Sequence, residues 1–184
     1  MVGNGPSLIF LPGLTADHRL FEKQTEYFDG KYRMFVWDAP GHASSYPFQM
    51  NFSLADKAKW LDEIIELEGL NDPVIIGQSI YGRTLMHCMM MTYDGAQKRY
   101  AKLAGHGYRI LAEAIEADLP YEIKCPALLI CGDKDHAGSC IRYNKKWHKR
   151  SGIKIEWIKG AGHNSNTDEP EQINKLIERF VKII

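Results

Sequence analysis

Val74-Ile75-Ile76-Gly77-Gln78-Ser79-Ile80-Tyr81-Gly82-Arg83 is the stretch on which the fold turns. Val74, Ile75 and Ile76 followed by Gly77 describe a short strand. Arg83 to Met91 describes an apolar helix whose methionines suit core filling. Ser79 then stands at the apex of a sharp strand-to-helix turn, with its hydroxyl at the carboxyl end of a strand. The first N–H groups of the following helix are unpaired there and attract negative charge. Taken alone, the pattern equally describes an ordinary Gly/Ser turn in a βα unit.

Strand and helix alternate on both sides of it. Toward the amino terminus, Ser7 to Leu11 is a continuous apolar run ended by Pro12-Gly13, as expected of a strand buried on both faces. A helix over Phe21 to Phe28 and a strand over Arg33 to Trp37 follow, then the turn-rich loop Asp38 to Ser45. Ser53 reads as the N-cap of a long amphipathic helix with Leu54, Ala58, Leu61, Ile64, Ile65 and Leu67 on its apolar stripe, ended by Gly69. Beyond the central stretch, residues 92–122 read as a helical insert, helical over Ala96 to Ala117. Pro126 to Cys131 is a second buried strand, closed by Gly132-Asp133-Lys134-Asp135. A basic helix over Ile141 to Arg150 leads to a strand over Ile153 to Ile158, the tight loop Gly160-Ala-Gly-His163-Asn, and a helix from Pro170 to Ile184. The fold class is α/β, a mostly parallel, doubly wound sheet covered on both faces, in a single domain over 1–184.

Composition narrows the function. With 23 basic and 23 acidic residues the formal charge is zero, which points away from nucleic acid and from a charged membrane surface. The amino-terminal Met-Val-Gly-Asn-Gly-Pro is too polar for a signal peptide, and no run of about 18 apolar residues exists. Cys88, Cys125, Cys131 and Cys140 lack C-x-x-C spacing, so they read as reduced thiols in a reducing compartment, with a cytoplasmic location expected. His18, His42, His87, His106, His136 and His148 show no metal-ligand spacing, and neither a metal nor another cofactor is expected.

In a sheet of this kind the loops beyond the carboxyl ends of the strands carry function. Ser79, Asp135 and His163 each follow their own strand, in the chain order Ser, Asp, His. This resembles the α/β-hydrolase family, whose nucleophile elbow is G-x-S-x-G in a strand–turn–helix context. The resemblance extends to Phe10-Leu-Pro-Gly-Leu14, similar to the family's H-G-x loop with Pro12 in place of His, and to Asp38-x-Pro-Gly-His-Ala-x-Ser, similar to its D-x-P-G-x-G-x-S loop. It departs at Tyr81, which occupies the small-residue position of the elbow, with the glycine delayed to Gly82.

The resemblance implies a serine hydrolase acting on a small ester or related acyl substrate. Ser79 is the implied nucleophile, His163 its base and Asp135 the acid that orients His163, with the backbone N–H groups of Leu14 and Ile80 as the oxyanion hole. Asp133 competes for the acid role, and the family's spacing of three residues after the closing glycine selects Asp135. Tyr81 and His106 are the candidate pocket residues. Acyltransferase, thioesterase and hydroxynitrile-lyase chemistry share the same triad, and a catalytically weak or silent member that binds a ligand or partner is the rival from another class. The family pattern also carries two strands before Ser7 and one between the elbow helix and the insert, for which no strand-like run exists here. Closing the second gap would shift Asp135 and His163 by one strand spacing, about 4.8 Å. Leu85 to Met91 would fill it, or a second protomer would, giving a homodimer or strand-swapped oligomer.

Overall fold

Leu8, Ile9 and Phe10 have no solvent exposure at all, the burial a strand acquires when it is flanked on both edges and covered on both faces. These residues belong to β1 (Ser7–Leu11), which pairs in parallel with β2 (Arg33–Val36) on one side and with β3 (Val74–Gly77) on the other. The order β2-β1-β3 requires a crossover from each strand to the next. The computed structural model describes residues 5–78, 95–117 and 123–184. Ser79, Ile80, Tyr81, Gly82 and the Leu85 to Met91 run therefore lie outside the described residues, as do residues 118–122 of the insert.

The chain divides into two compact units, one on Met1–Arg19 and Phe28–Pro120, the other on Leu20–Tyr27 and Tyr121–Ile184. In the first, Phe28, the last residue of α1 (Glu22–Phe28), and Tyr32 meet edge to face, ring centroids 5.2 Å apart. The next helix, α2 (Leu54–Leu67), starts at Ser53 with a capping box. Ser53 Oγ accepts the Asp56 N–H at 3.1 Å, and the Asp56 carboxylate accepts the Ser53 N–H at 2.8 Å. It stops at Gly69, whose φ of 57° places the left-handed residue a Schellman ending needs. The Gly69 and Leu70 N–H groups return to the Glu66 and Ile65 carbonyls, and Leu70 is buried. The helix expected in the insert is α3 (Gly95–Glu116).

In the second unit β4 (Leu129–Gly132) and β5 (Ile155–Ile158) form a parallel pair with Gly132 opposite Ile158. They are joined by α4 (Cys140–Ser151), which ends on Gly152 at a φ of 76°. After β5 come a single helical turn, α5 (Ser165–Asp168), absent from the sequence reading, and α6 (Pro170–Val181). Ile158, Ile173 and Ile177 supply apolar burial. A polar knot ties α1 to this end of the chain. Gln24, fully buried, donates to the Asn166 carbonyl at 3.0 Å and to Asn174 Oδ1 at 3.1 Å. Asn166 Nδ2 in turn donates to the Leu20 carbonyl at 2.7 Å. Among the described residues the strands thus form two separate parallel sheets, and no helix is long and apolar enough to cross a membrane.

Buried donors and acceptors that lose a partner cost about 1–3 kcal/mol each. Gln24→Leu leaves Asn174 Oδ1 and the Asn166 carbonyl without their buried donor, so urea unfolding should show a loss of at least about 1 kcal/mol. An unchanged midpoint would mean that water replaces the amide.

Candidate active site

Parallel pairing sends the chain out of β4 and β5 at the same end, which brings the loop carrying Asp135 against the loop carrying His163. The ladder continues past both strands: Asp133 N–H donates to the Ile158 carbonyl at 3.0 Å, and Lys134 N–H to the Ala161 carbonyl at 2.9 Å. Gly132 permits this closeness, because a Cβ there would overlap the carbonyl oxygens of Ala161 and Gly162. Two carboxylates then hold the His loop in shape. Asp133 Oδ1 accepts the Gly160 N–H and Asp168 Oδ2 accepts the Gly162 N–H, each at 2.8 Å.

Asp135 faces His163. Its Oδ2 lies 2.9 Å from His163 Nδ1, while its Oδ1 accepts the Ala137 N–H at 2.8 Å. The two side chains retain only 6% and 10% exposure. An ionised carboxylate can only accept, so the shared proton sits on Nδ1 and the lone pair on Nε2. Nε2 is buried and has no hydrogen-bond partner among the described residues. The carboxylate thus polarises the imidazole through Nδ1 and leaves Nε2 without a partner among the described residues. Asp133, the competing acid, is occupied with Gly160 instead. Cys140 was not singled out by its sequence, yet its Sγ stands 3.7 Å from His163 Nδ1. Only its position at the start of the helix after the acid loop hinted at this. Close by, burial and then the neighbouring Asp135 and Cys140 push the Cys131 thiol up to about 11.

In the first unit, the Pro12–Asp17 loop leaves β1 through a turn closed by Ala16 N–H to the Gly13 carbonyl at 3.1 Å. Thr15 sits at its third position with a φ of 64°, a left-handed conformation that a β-branched residue adopts only under constraint. The Leu14 N–H donates no hydrogen bond among the described residues. Its side chain rests on Gly107 of α3, where a Cβ would collide with it. Gln78 N–H donates to the Leu11 carbonyl at 3.0 Å, so β1 holds β3 up to the residue before Ser79. A cavity of about 70 Å³ opens here, lined by Thr15, Asp17, Arg19, Gly41, His42, Ala43 and Leu103.

Asp38 organises the neighbouring loop. It accepts the His18 N–H at 2.8 Å and the Ser44 hydroxyl at 2.7 Å, and its Oδ2 lies 2.9 Å from His18 Nδ1. Burial alone would raise its carboxyl, but hydrogen bonds from Ser44 and His18 outweigh this and leave it below the ordinary carboxylate range. His42 is buried, its Nδ1 3.1 Å from the Ala39 carbonyl. His106 is buried edge-on against Phe52, ring centroids 4.3 Å apart, and accepts from Arg109 at 2.7 Å. Burial lowers both imidazoles, with Lys57 adding to it at His42, and Arg109 and then Lys57 at His106. Burial also lowers the Lys57 ammonium itself.

No family model matches the sequence, and no curated protein does either. Solved structures do. An α/β-hydrolase enzyme from the metagenome of sediments of the lagoon of Mar Chica, Morocco, superimposes with a TM-score of 0.71 at 21% identity, over 98% of this chain and 92% of that one. Carboxylesterase CesB of Bacillus subtilis gives 0.71 at 16%, over 98% and 85%. E-2-(Acetamidomethylene)succinate hydrolase gives 0.73 at 14%, over 98% and 93%. The chain has the α/β-hydrolase fold, with fewer strands among the described residues than the family pattern carries. The chemistry must be argued from its own residues.

Gly132→Ala should be costly, since its Cβ meets backbone that cannot rotate away. A loss of about 1–3 kcal/mol in thermal or urea unfolding is expected. A stability equal to that of the parent would show that the two loops can separate freely. For the buried imidazoles the linkage is fixed in sign. The unfolded chain takes up protons near the reference histidine value of about 6.5, while His42 and His106 take them up only at lower pH, so stability falls as pH drops through that window. A His42→Gln/His106→Gln double variant should show a flatter unfolding midpoint from about pH 7.5 to about pH 5.5; equal slopes would refute the assignment.

Proposed function

We propose that this protein is a serine hydrolase that cleaves a small ester or related acyl substrate through an acyl-enzyme. Supporting this above all is the Asp135–His163 pair, 2.9 Å apart and largely shielded from solvent, with the His163 Nε2 lone pair unpartnered among the described residues. Carboxylesterases and hydrolases among the structures of like fold lend further support. Ser79 attacks the acyl carbon while His163 Nε2 takes its proton. Asp135 holds the tautomer and stabilises the imidazolium, and His163 then returns the proton to the leaving alcohol. Water repeats the sequence on the acyl-enzyme. The Leu14 N–H, without an acceptor among the described residues and set on its constrained loop, is one oxyanion donor and the Ile80 N–H the other.

A catalytically weak or silent form is the second reading, favoured by Tyr81 at the small-residue position of the elbow. Thioesterase or acyltransferase chemistry would use the same residues and differ in what the acyl-enzyme meets next. The cleanest discriminator is a fluorophosphonate probe, which modifies only an activated serine. Labelling should be complete in the parent protein and absent in Ser79→Ala. Absence of labelling in well-folded parent protein would establish the silent reading.

Hydrolysis of short p-nitrophenyl esters should vanish in both Ser79→Ala and His163→Ala, without additive losses in the double variant, because the two act as one proton-transfer unit. Asp135→Asn should reduce turnover by orders of magnitude, on the order of 10⁴-fold by analogy with other triads. Wild-type turnover in Asp135→Asn, with loss in Asp133→Asn, would reassign the acid.

A further inference from the structure

We propose that Asp135, Cys140 and His163 form an inhibitory binding site for a soft divalent cation of the zinc type, which takes the proposed base out of service. The inference rests on the reading of His163 as that base. Three donors of different chemistry, a carboxylate oxygen, a thiol sulfur and an imidazole nitrogen, lie within 4.8 Å of one another on two loops and a helix start. Their sequence positions are too scattered to suggest a metal motif, and only the β4–β5 pairing assembles them.

The sulfur–nitrogen spacing suits tetrahedral coordination, while the carboxylate and the thiol must draw together, since the three donors span up to 4.8 Å and a sulfur and an oxygen on one zinc ion stand about 3.6 Å apart. Zinc bonds of about 2.0–2.1 Å to nitrogen and about 2.3 Å to sulfur place those atoms about 3.6 Å apart at a tetrahedral angle. Cys140 Sγ and His163 Nδ1 are 3.7 Å apart. A nitrogen and a carboxylate oxygen on the same ion stand about 3.4 Å apart, so the 2.9 Å contact of Asp135 with His163 needs only to open slightly. Water completes the fourth position. Thiolate plus imidazole selects zinc-like ions over magnesium or calcium, which prefer all-oxygen sets. Cys140 is also the first residue of the twelve-residue α4, so the thiolate charge falls at the positive end of a helix.

Binding has a defined proton balance. The thiol gives its proton to solvent as the sulfur–metal bond forms. The Nδ1 lone pair can reach the metal only after its proton moves to Nε2, and the Asp135 oxygen exchanges that hydrogen bond for the metal. One proton leaves per ion bound, and the cation's two charges are balanced by one thiolate and one carboxylate. The price of this arrangement is functional, since Nε2 now carries a proton and cannot accept one from Ser79.

Cobalt(II) titrated into this chain gives a readout independent of turnover. A near-ultraviolet thiolate-to-cobalt charge-transfer band should appear, persist in Cys125→Ser and disappear in Cys140→Ser. Zinc affinity by calorimetry should fall roughly tenfold or more in Cys140→Ser and in His163→Ala, with single-proton release in buffers of different ionisation enthalpy. Ester turnover should fall with zinc and return with chelator, and Cys140→Ser should resist zinc relative to its own zinc-free rate. A missing band, a band that survives Cys140→Ser, or equal zinc inhibition of parent and Cys140→Ser would overturn the proposal. A Cys140-dependent band in a protein that cleaves no ester would uphold the metal site and sink the proposed function. Ester cleavage without the band would do the reverse.

Discussion

Parallel pairing of β4 with β5 is the constraint on which the candidate site depends. An antiparallel partner would send the His163 loop to the far end of the strand. A parallel one, with Gly132 opposite Ile158, delivers both loops to one end and lets their backbones bond directly through Asp133, Lys134, Ile158 and Ala161. Closeness of that order leaves no room for a side chain at the crossing point, and glycine occupies it. The buried Asp135 carboxylate then has a donor on each oxygen, from Ala137 and from His163. A buried carboxylate requires such compensation, and here it also fixes which imidazole nitrogen is basic.

The first unit follows a different logic. Its loops at the carboxyl ends of β1 and β2 are held by one carboxylate, Asp38, which gathers two backbone N–H groups, a hydroxyl and an imidazole. Hydrogen bonds to an ionised group are the strong ones, and here they outweigh the burial that opposes them. The neighbouring Thr15 turn holds a β-branched residue at positive φ. Strain of this sort persists only where surrounding structure over-determines it, and its result is a Leu14 N–H without an internal acceptor among the described residues. Buried His42 and His106, both with Nε2 unpartnered among those residues, and the desolvated Lys57 add polar groups whose charged forms burial disfavours.

Cysteine shows how far a local reading reaches. From spacing alone the cysteines are reduced thiols without a motif, and Cys131 fits that description, buried and raised in pKa. Cys140 differs only because β4, α4 and β5 fold it back onto a residue 23 positions away.

Periodicity and punctuation, which are local, were enough to read most elements: the buried run of β1, the Ser53 cap and Gly69 stop of α2, and the helix of the insert. The chain order of Ser79, Asp135 and His163, each after its own strand, pointed to the family whose fold the solved structures share. Other features lay beyond such reading. The turn α5 has too few residues for a period. The Gln24–Asn166–Asn174 knot joins side chains about 140 to 150 positions apart, and nothing in a polar residue's neighbours says that it will be buried. The choice of Asp135 over Asp133 as the partner of His163 rested on family spacing in the sequence and on a 2.9 Å contact in the fold. Sequence determined where strands, caps and turns fall, because those follow from interactions over a few residues. Tertiary structure decided which side chains meet, because strand pairing between distant segments sets their separation.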